Sequence, residues 1–189
     1  DETAVPDYVA ADFLSQSEHG PDSQSVLVCT SEAIAEAVAE SIARQCARLK
    51  RWEIITKALE HSRIVVLRSR DEVVDFANEY APEHLIVSMA DPWKIADRIV
   101  AAGSIFIGNY SPESAGDYAS GTNHTLPTGG WAHSFSGLNL DAFMRKMTIQ
   151  ELSREGLAGL DNTIRSMALA EGLDAHAAAV EVRLKNNQS

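Results

Sequence analysis

Cysteine is scarce in this chain, and basic residues are few for its size. Its two cysteines, Cys29 in an apolar β-prone run and Cys46 on a helical face, cannot build a disulfide framework or a thiolate metal site, and both read as packed core thiols. Sixteen lysines and arginines are scattered along the sequence against twenty-seven acids, giving a formal charge of −11. A nucleic-acid binder presents clustered basic surface, so nucleic acid is not expected as a partner. No apolar run approaches the ~20 residues needed to span a bilayer, and the opening DETAVPDY lacks the basic-then-apolar profile of a signal peptide. The expectation is a cytoplasmic protein with no membrane partner. The GxGxxG and P-loop patterns are missing, so no motif announces a nucleotide site. Internal repeats and low-complexity tracts are absent too.

What is present is an alternation. Apolar β-prone runs at residues 25–30 (SVLVCT), 63–67 (RIVVL), 84–87 (HLIV) and 104–107 (SIFI) are separated by amphipathic stretches. The spacing predicts helices over 7–18, from 31 or 32 through Ile34, Val38, Ile42, Cys46 and Leu49, and over 52–61, 71–80 and 91–101. Short apolar strands between such helices indicate a parallel, doubly wound, Rossmann-like α/β sheet over residues 1–130. After Gly130 the pattern turns helical, at 140–146, 148–169 and 173–185, with no further strand. Residues 131–189 therefore read as a helical C-terminal region. Slender helices bury little alone, so this tail is expected to pack on another body, either the sheet or a second subunit.

The stretch from Ser111 to Gly130, SPESAGDYASGTNHTLPTGG, is polar, turn-rich and far longer than the usual connection of about 4 to 6 residues. It follows SIFI directly, and ligands gather at the carboxyl ends of strands in parallel sheets. It carries Asp117 and His124 among Gly116, Gly121, Gly129 and Gly130, whose backbone freedom permits close approach to a ligand. The bland alternative is a solvated surface loop. Gln16 and His19 lie three apart at the end of the first helix, so they share a face and can reach one point, which is metal-ligand spacing; a polar helix end facing water is the competing reading. Glu83 and His84 follow Ala81-Pro82 at a helix-to-strand junction, and a proline favours extended backbone in the residue before it. A carboxylate beside an imidazole supplies a general acid–base pair, although the bare dipeptide is common. Glu171 and His176 flank a break at Gly172 between the last two helices.

Taken together, SQSEHGPDSQ, APEHLIV, AGSIFIGNYSPESAGDYASGTNHTLPTGG, MTIQELSREGL and EGLDAHAAAV resemble the histidinol dehydrogenases, zinc enzymes of histidine biosynthesis. The likeness runs nearly the whole length, and the motifs are long and in order. The resemblance implies a homodimeric enzyme that oxidises L-histidinol to L-histidine in two NAD-dependent steps through an aldehyde. It implies Gln16, His19, Asp117 and His176 as zinc ligands, with His176 delivered to the partner subunit's site. Glu83 is implied as the base that activates water, His84 as the group handling the alcohol proton, and His124 and Glu171 as further substrate contacts alongside the ligands and the pair. Such a set of imidazoles, carboxylate and amide oxygen suits Zn²⁺ and leaves positions open for substrate. His61 and His133 match no functional residue and read as surface. Ser17 stands where many members have alanine, at a position that carries no chemistry.

The family is considerably longer than this sequence, which begins just after the place of an IDxxAGPSE signature. The expectation is a carboxy-terminal portion, inactive alone, in which residues 1–130 are part of an α/β domain; the remainder of that domain and the second α/β domain that holds the nucleotide lie outside it, and no NAD-binding residue falls within. Two other readings stand beside the dehydrogenase. One is a non-catalytic metal-binding and dimerisation module; the other is a zinc hydrolase, for which a metal, a base and water suffice.

Overall fold

A computed structural model describes residues 1–185. The chain divides into two compact units, Asp1–Phe143 and a second from Met144 onward, each with its own packing.

In the first unit, α1 (Pro6–Ser17) starts at a proline, whose fixed φ suits a first turn and whose missing N–H costs nothing there. Its Ala10, Phe13 and Leu14 are buried with Val38 and Ile42 of α2 (Glu32–Cys46) and Ile55 of α3 (Trp52–His61). Cys46 packs against this cluster and Cys29 is buried, as expected of core thiols. Ser17 is fully buried as well. Its hydroxyl lies 2.8 Å from the Phe13 carbonyl and 3.1 Å from Ser25 Oγ, so the residue knits the end of α1 to the chain entering the first strand.

The four strands pair in parallel, as the alternation predicts, but as two separate two-stranded sheets among the described residues. In one, β1 (Val26–Cys29) runs beside β2 (Arg63–Val66) with Val26 opposite Arg63. In the other, β3 (His84–Val87) runs beside β4 (Ser104–Ile107) with His84 opposite Ser104. Side chains alternate across a strand, which splits the apolar run HLIV between two environments. Leu85, Val87 and Ile105 join Val74 of α4 (Arg70–Tyr80) and Ile95 of α5 (Pro92–Ala96) in a second core, while His84 faces the other way and stacks on Phe106.

Several boundaries differ from the sequence expectation for identifiable reasons. The helix expected over 91–101 stops at Ala96, because Asn78 of α4 takes the Arg98 carbonyl and the Val100 N–H into side-chain hydrogen bonds. Ala81 is not extended: it closes α4 in the left-handed region, φ 49°, with its N–H on the Ala77 carbonyl. A Cβ there costs about 1 to 2 kcal/mol; burial of Ala81 and the bonds from Gly103 N–H to the Pro82 carbonyl and Ser104 N–H to the Glu83 carbonyl hold it. The long loop is not structureless, since α6 (Glu113–Tyr118) forms inside it behind Pro112. Residues 140–146 form only a 3-10 turn, Leu140–Phe143, whose start is drawn by the Asn139 side chain onto Asp141 N–H.

In the second unit, α7 (Arg154–Ala170) begins six residues later than Thr148, where Ser153 Oγ caps the Gly156 N–H at 3.0 Å and halts any earlier start. Gly172, at φ 71°, makes the turn into α8 (Asp174–Lys185), and the two helices bury Ala168, Ala177 and Val180. Arg154 donates to the Leu184 carbonyl, tying the start of one helix to the end of the other. No helix of the described residues is long and apolar enough to cross a membrane.

Candidate metal and acid–base site

Three elements of the first unit converge on one place. The end of α1 supplies Gln16 in its last turn and His19 just beyond, where the His19 N–H still bonds the Gln16 carbonyl at 3.3 Å. The start of β3 supplies His84, with Glu83 immediately before it. The short α6 supplies Asp117 and, four residues earlier on the same helical face, Glu113. His19, Glu113 and Asp117 each present a ligand atom within 4.8 Å of the others.

Glycine at 116 decides where α6 can lie, and the reason is space rather than positive φ. A Cβ there would stand 2.5 Å from Phe106 Cε1 and 2.9 Å from Thr122 Oγ1, so only glycine lets the helix seat on the Phe106 ring. That ring in turn stacks on His84, with centroids 6.0 Å apart and planes at 29°. Just before β4, a Cβ at Gly103 would come within 2.5 Å of the Glu83 carbonyl oxygen, so the acid–base pair is also framed by a close backbone approach.

Charge is concentrated here, with Glu113 buried, Asp117 half-buried and His19 exposed. His84 Nε2 lies 3.8 Å from both Glu113 Oε1 and Asp117 Oδ1. His84 Nε2, Glu113 Oε2 and Gln16 Nε2 are buried without a hydrogen-bond partner. Burial pushes the Glu83 carboxyl above the usual carboxylate range; the imidazole of His84 counters this, Glu113 adds to it, and His19 and Asp117 act in opposite senses. On the neighbouring face of α1, burial and the charge of Glu113 push Asp12 up to about 6. Buried polar atoms are nearly always satisfied in folded proteins, and an imidazole, a carboxylate and an amide whose ends are interchangeable suit a borderline cation such as Zn²⁺. The residues present therefore fit a zinc ion.

Of the residues singled out in the sequence, the structure gathers His19, Glu83, His84 and Asp117, with Gln16 one turn before His19. His124 lies exposed in the coil after α6. Glu171 ends α7 and His176 sits in the first turn of α8, both exposed and both in the second unit. His61 is exposed, and His133, exposed too, has Nε2 3.2 Å from the Glu79 carbonyl. Glu113 and Asp12 escaped the sequence reading. Glu113 was legible only if SPESAGDY is taken as helical, with Pro112 at its start, because then 113 and 117 share a face.

The family model for histidinol dehydrogenase matches residues 1–184. The chain belongs to the histidinol dehydrogenase family. It is 51% identical over 184 residues to a histidinol dehydrogenase of Bacteroides thetaiotaomicron, covering 97% of this chain and 43% of the relative. To the chloroplastic histidinol dehydrogenase of Arabidopsis thaliana it is 53% identical over 187 residues, 98% of this chain and 40% of that one. Among solved structures, the histidinol dehydrogenase of Elizabethkingia anophelis superposes with a TM-score of 0.91 at 49% identity, covering 97% of this chain and 42% of that one. The chain thus spans about two fifths of the length of these histidinol dehydrogenases.

Proposed function

We propose that this chain supplies the zinc and acid–base site of a histidinol dehydrogenase that oxidises L-histidinol to L-histidine in two NAD-dependent steps. The observation that carries the reading is the convergence of His19, Asp117, Glu83 and His84 within a family whose members bear that name. Gln16, His19 and Asp117 would hold the metal, joined by His176 from a partner subunit, with His124 and Glu171 as further substrate contacts. When bound, zinc would supply a Lewis acid that grips the substrate's amino and imidazole nitrogens, and the nicotinamide nucleotide would supply the hydride acceptor. No residue of this chain is assigned to the nucleotide.

The chain's own residues do the proton chemistry. His84, seated on Phe106, accepts the proton of the substrate alcohol in the first oxidation. Glu83 takes a proton from the water that adds to the aldehyde, and its raised pKa makes it a stronger base than a free carboxylate. Leu140, Phe143, Met147 and Ile149 are exposed, and an apolar stretch so open supports a homodimer that covers it through the region from residue 131 onward. The two small sheets would be parts of one doubly wound sheet completed by segments present in the longer relatives. A cytoplasmic setting belongs to the same proposal.

The test is NADH formation from histidinol by the full-length protein, loaded with zinc and stripped by chelation. Turnover that disappears on stripping and returns with zinc supports the reading. Ester or amide cleavage without coenzyme would favour a hydrolase instead, and metal binding with neither activity would favour a non-catalytic module.

A further inference from the structure

We infer that Glu113 is a positioning residue for the His84 imidazole and not a zinc ligand. The inference rests on the dehydrogenase reading above. Glu113 is the most deeply buried member of the cluster, at 2% exposure, where His19 is exposed and Asp117 half-buried. A carboxylate that far from water is costly unless a cation or strong donors meet it. Its Oε2 has no hydrogen-bond partner, and the one ion-pair partner found for it among the described residues is His84, with Oε1 3.8 Å from Nε2. That separation exceeds a hydrogen bond, but such contacts often tighten only once substrate is bound.

The burial order places Glu113 behind the ligand atoms rather than at their open side. Asp117 approaches the same Nε2 at 3.8 Å, and a metal that engages Asp117 leaves Glu113 as the carboxylate facing the ring. The scaffold is suited to the task. Glu113 and Asp117 share one face of α6, α6 is seated on Phe106 through Gly116, and Phe106 stacks on His84. Phe106 thereby covers one ring face of His84, and two carboxylates of α6 stand 3.8 Å from its Nε2. A carboxylate behind an imidazole restricts its rotation and selects which nitrogen carries the proton.

The experiment compares Glu113→Gln, which keeps the shape, with His84→Asn and the parent in the full-length enzyme. Losing an outer-shell partner of this kind typically costs about 10- to 100-fold in activity. The expected result for Glu113→Gln is a fall of kcat in that range, with KM for histidinol and zinc per subunit at parental values. Loss of zinc would make Glu113 a ligand and overturn the inference, and so would a parental kcat. If Glu113→Gln fails to fold, Glu113→Asp keeps the charge on a shorter arm: lowered kcat with full zinc supports the role, and parental kcat overturns it. A parent without zinc-dependent histidinol oxidation sinks the dehydrogenase reading and this inference together. A parent that is active while His84→Asn is equally active removes only the present one.

Discussion

Glu83 and Asp12 are two acids whose carboxyls the fold pushes upward, with different consequences. For Glu83 the outcome belongs to the proposed catalysis: Glu83→Gln keeps the side chain's shape and deletes the proposed base. In the full-length enzyme, oxidation of supplied histidinaldehyde should drop by about 10² to 10⁴, with zinc and histidinol binding retained. Aldehyde oxidation at the parental rate would mean that the base lies elsewhere. For Asp12 the outcome is stability. Its folded pKa of about 6 stands above the ordinary 3.8, so the fold prefers the protonated carboxyl. The stabilisation of that form is complete below 3.8 and lost as pH rises through about 6. Asp12→Asn should therefore be more stable than the parent at pH ~7.5, by about 1 kcal/mol once partial exposure is discounted, with the gap narrowing toward pH ~4.5. Urea melts in chelating buffer at both pH values read this directly, and an equal gap at both would remove the burial argument.

At the scale of elements, the decisive contact is α6 on β4. Gly116→Ala would drive a Cβ to 2.5 Å from Phe106 Cε1 and 2.8 Å from Cζ, so helix or ring must move. Overpacking of this kind costs typically about 1 to 3 kcal/mol. Because the proposed ligand Asp117 follows Gly116 directly, the zinc affinity of the full-length enzyme should fall along with stability. Phe106→Leu in the same chain should recover part of the affinity by making room. A competition titration with a coloured chelator measures both variants, and parental affinity in Gly116→Ala alone would show that α6 is not held by this contact. The sequence showed the polar stretch and its Asp117 but not the helix, since six residues are too few for a periodicity to declare itself. Ala81 is the reverse case: a proline after it argued for extended backbone, and helix closure together with the β3–β4 pairing won.

At the scale of the whole molecule, the shared-site proposal makes a prediction that a single chain cannot. If each site takes His19 from one subunit and His176 from the other, then His19→Ala and His176→Ala variants are each inactive alone. Refolded together in equal amounts, half of the dimers are mixed, and each carries one intact site of two, so activity should return to about a quarter of the parent. No recovery on mixing would put both histidines in the site of one chain. The sequence by itself determined the class of the fold, the places of most strands and helices, and the family, because apolar periodicity and long ordered motifs are local properties of a chain. It also marked His19, Glu83, His84 and Asp117 as candidates for chemistry, and the fold brings these four together. Only the tertiary structure decided that HLIV splits between a core and a site, that Glu113 lies 3.8 Å from His84 Nε2, and that Asp12 feels its charge. Those facts depend on which residues distant in sequence are brought within a few ångströms and removed from water, and burial and Coulomb interaction have no signature in sequence spacing.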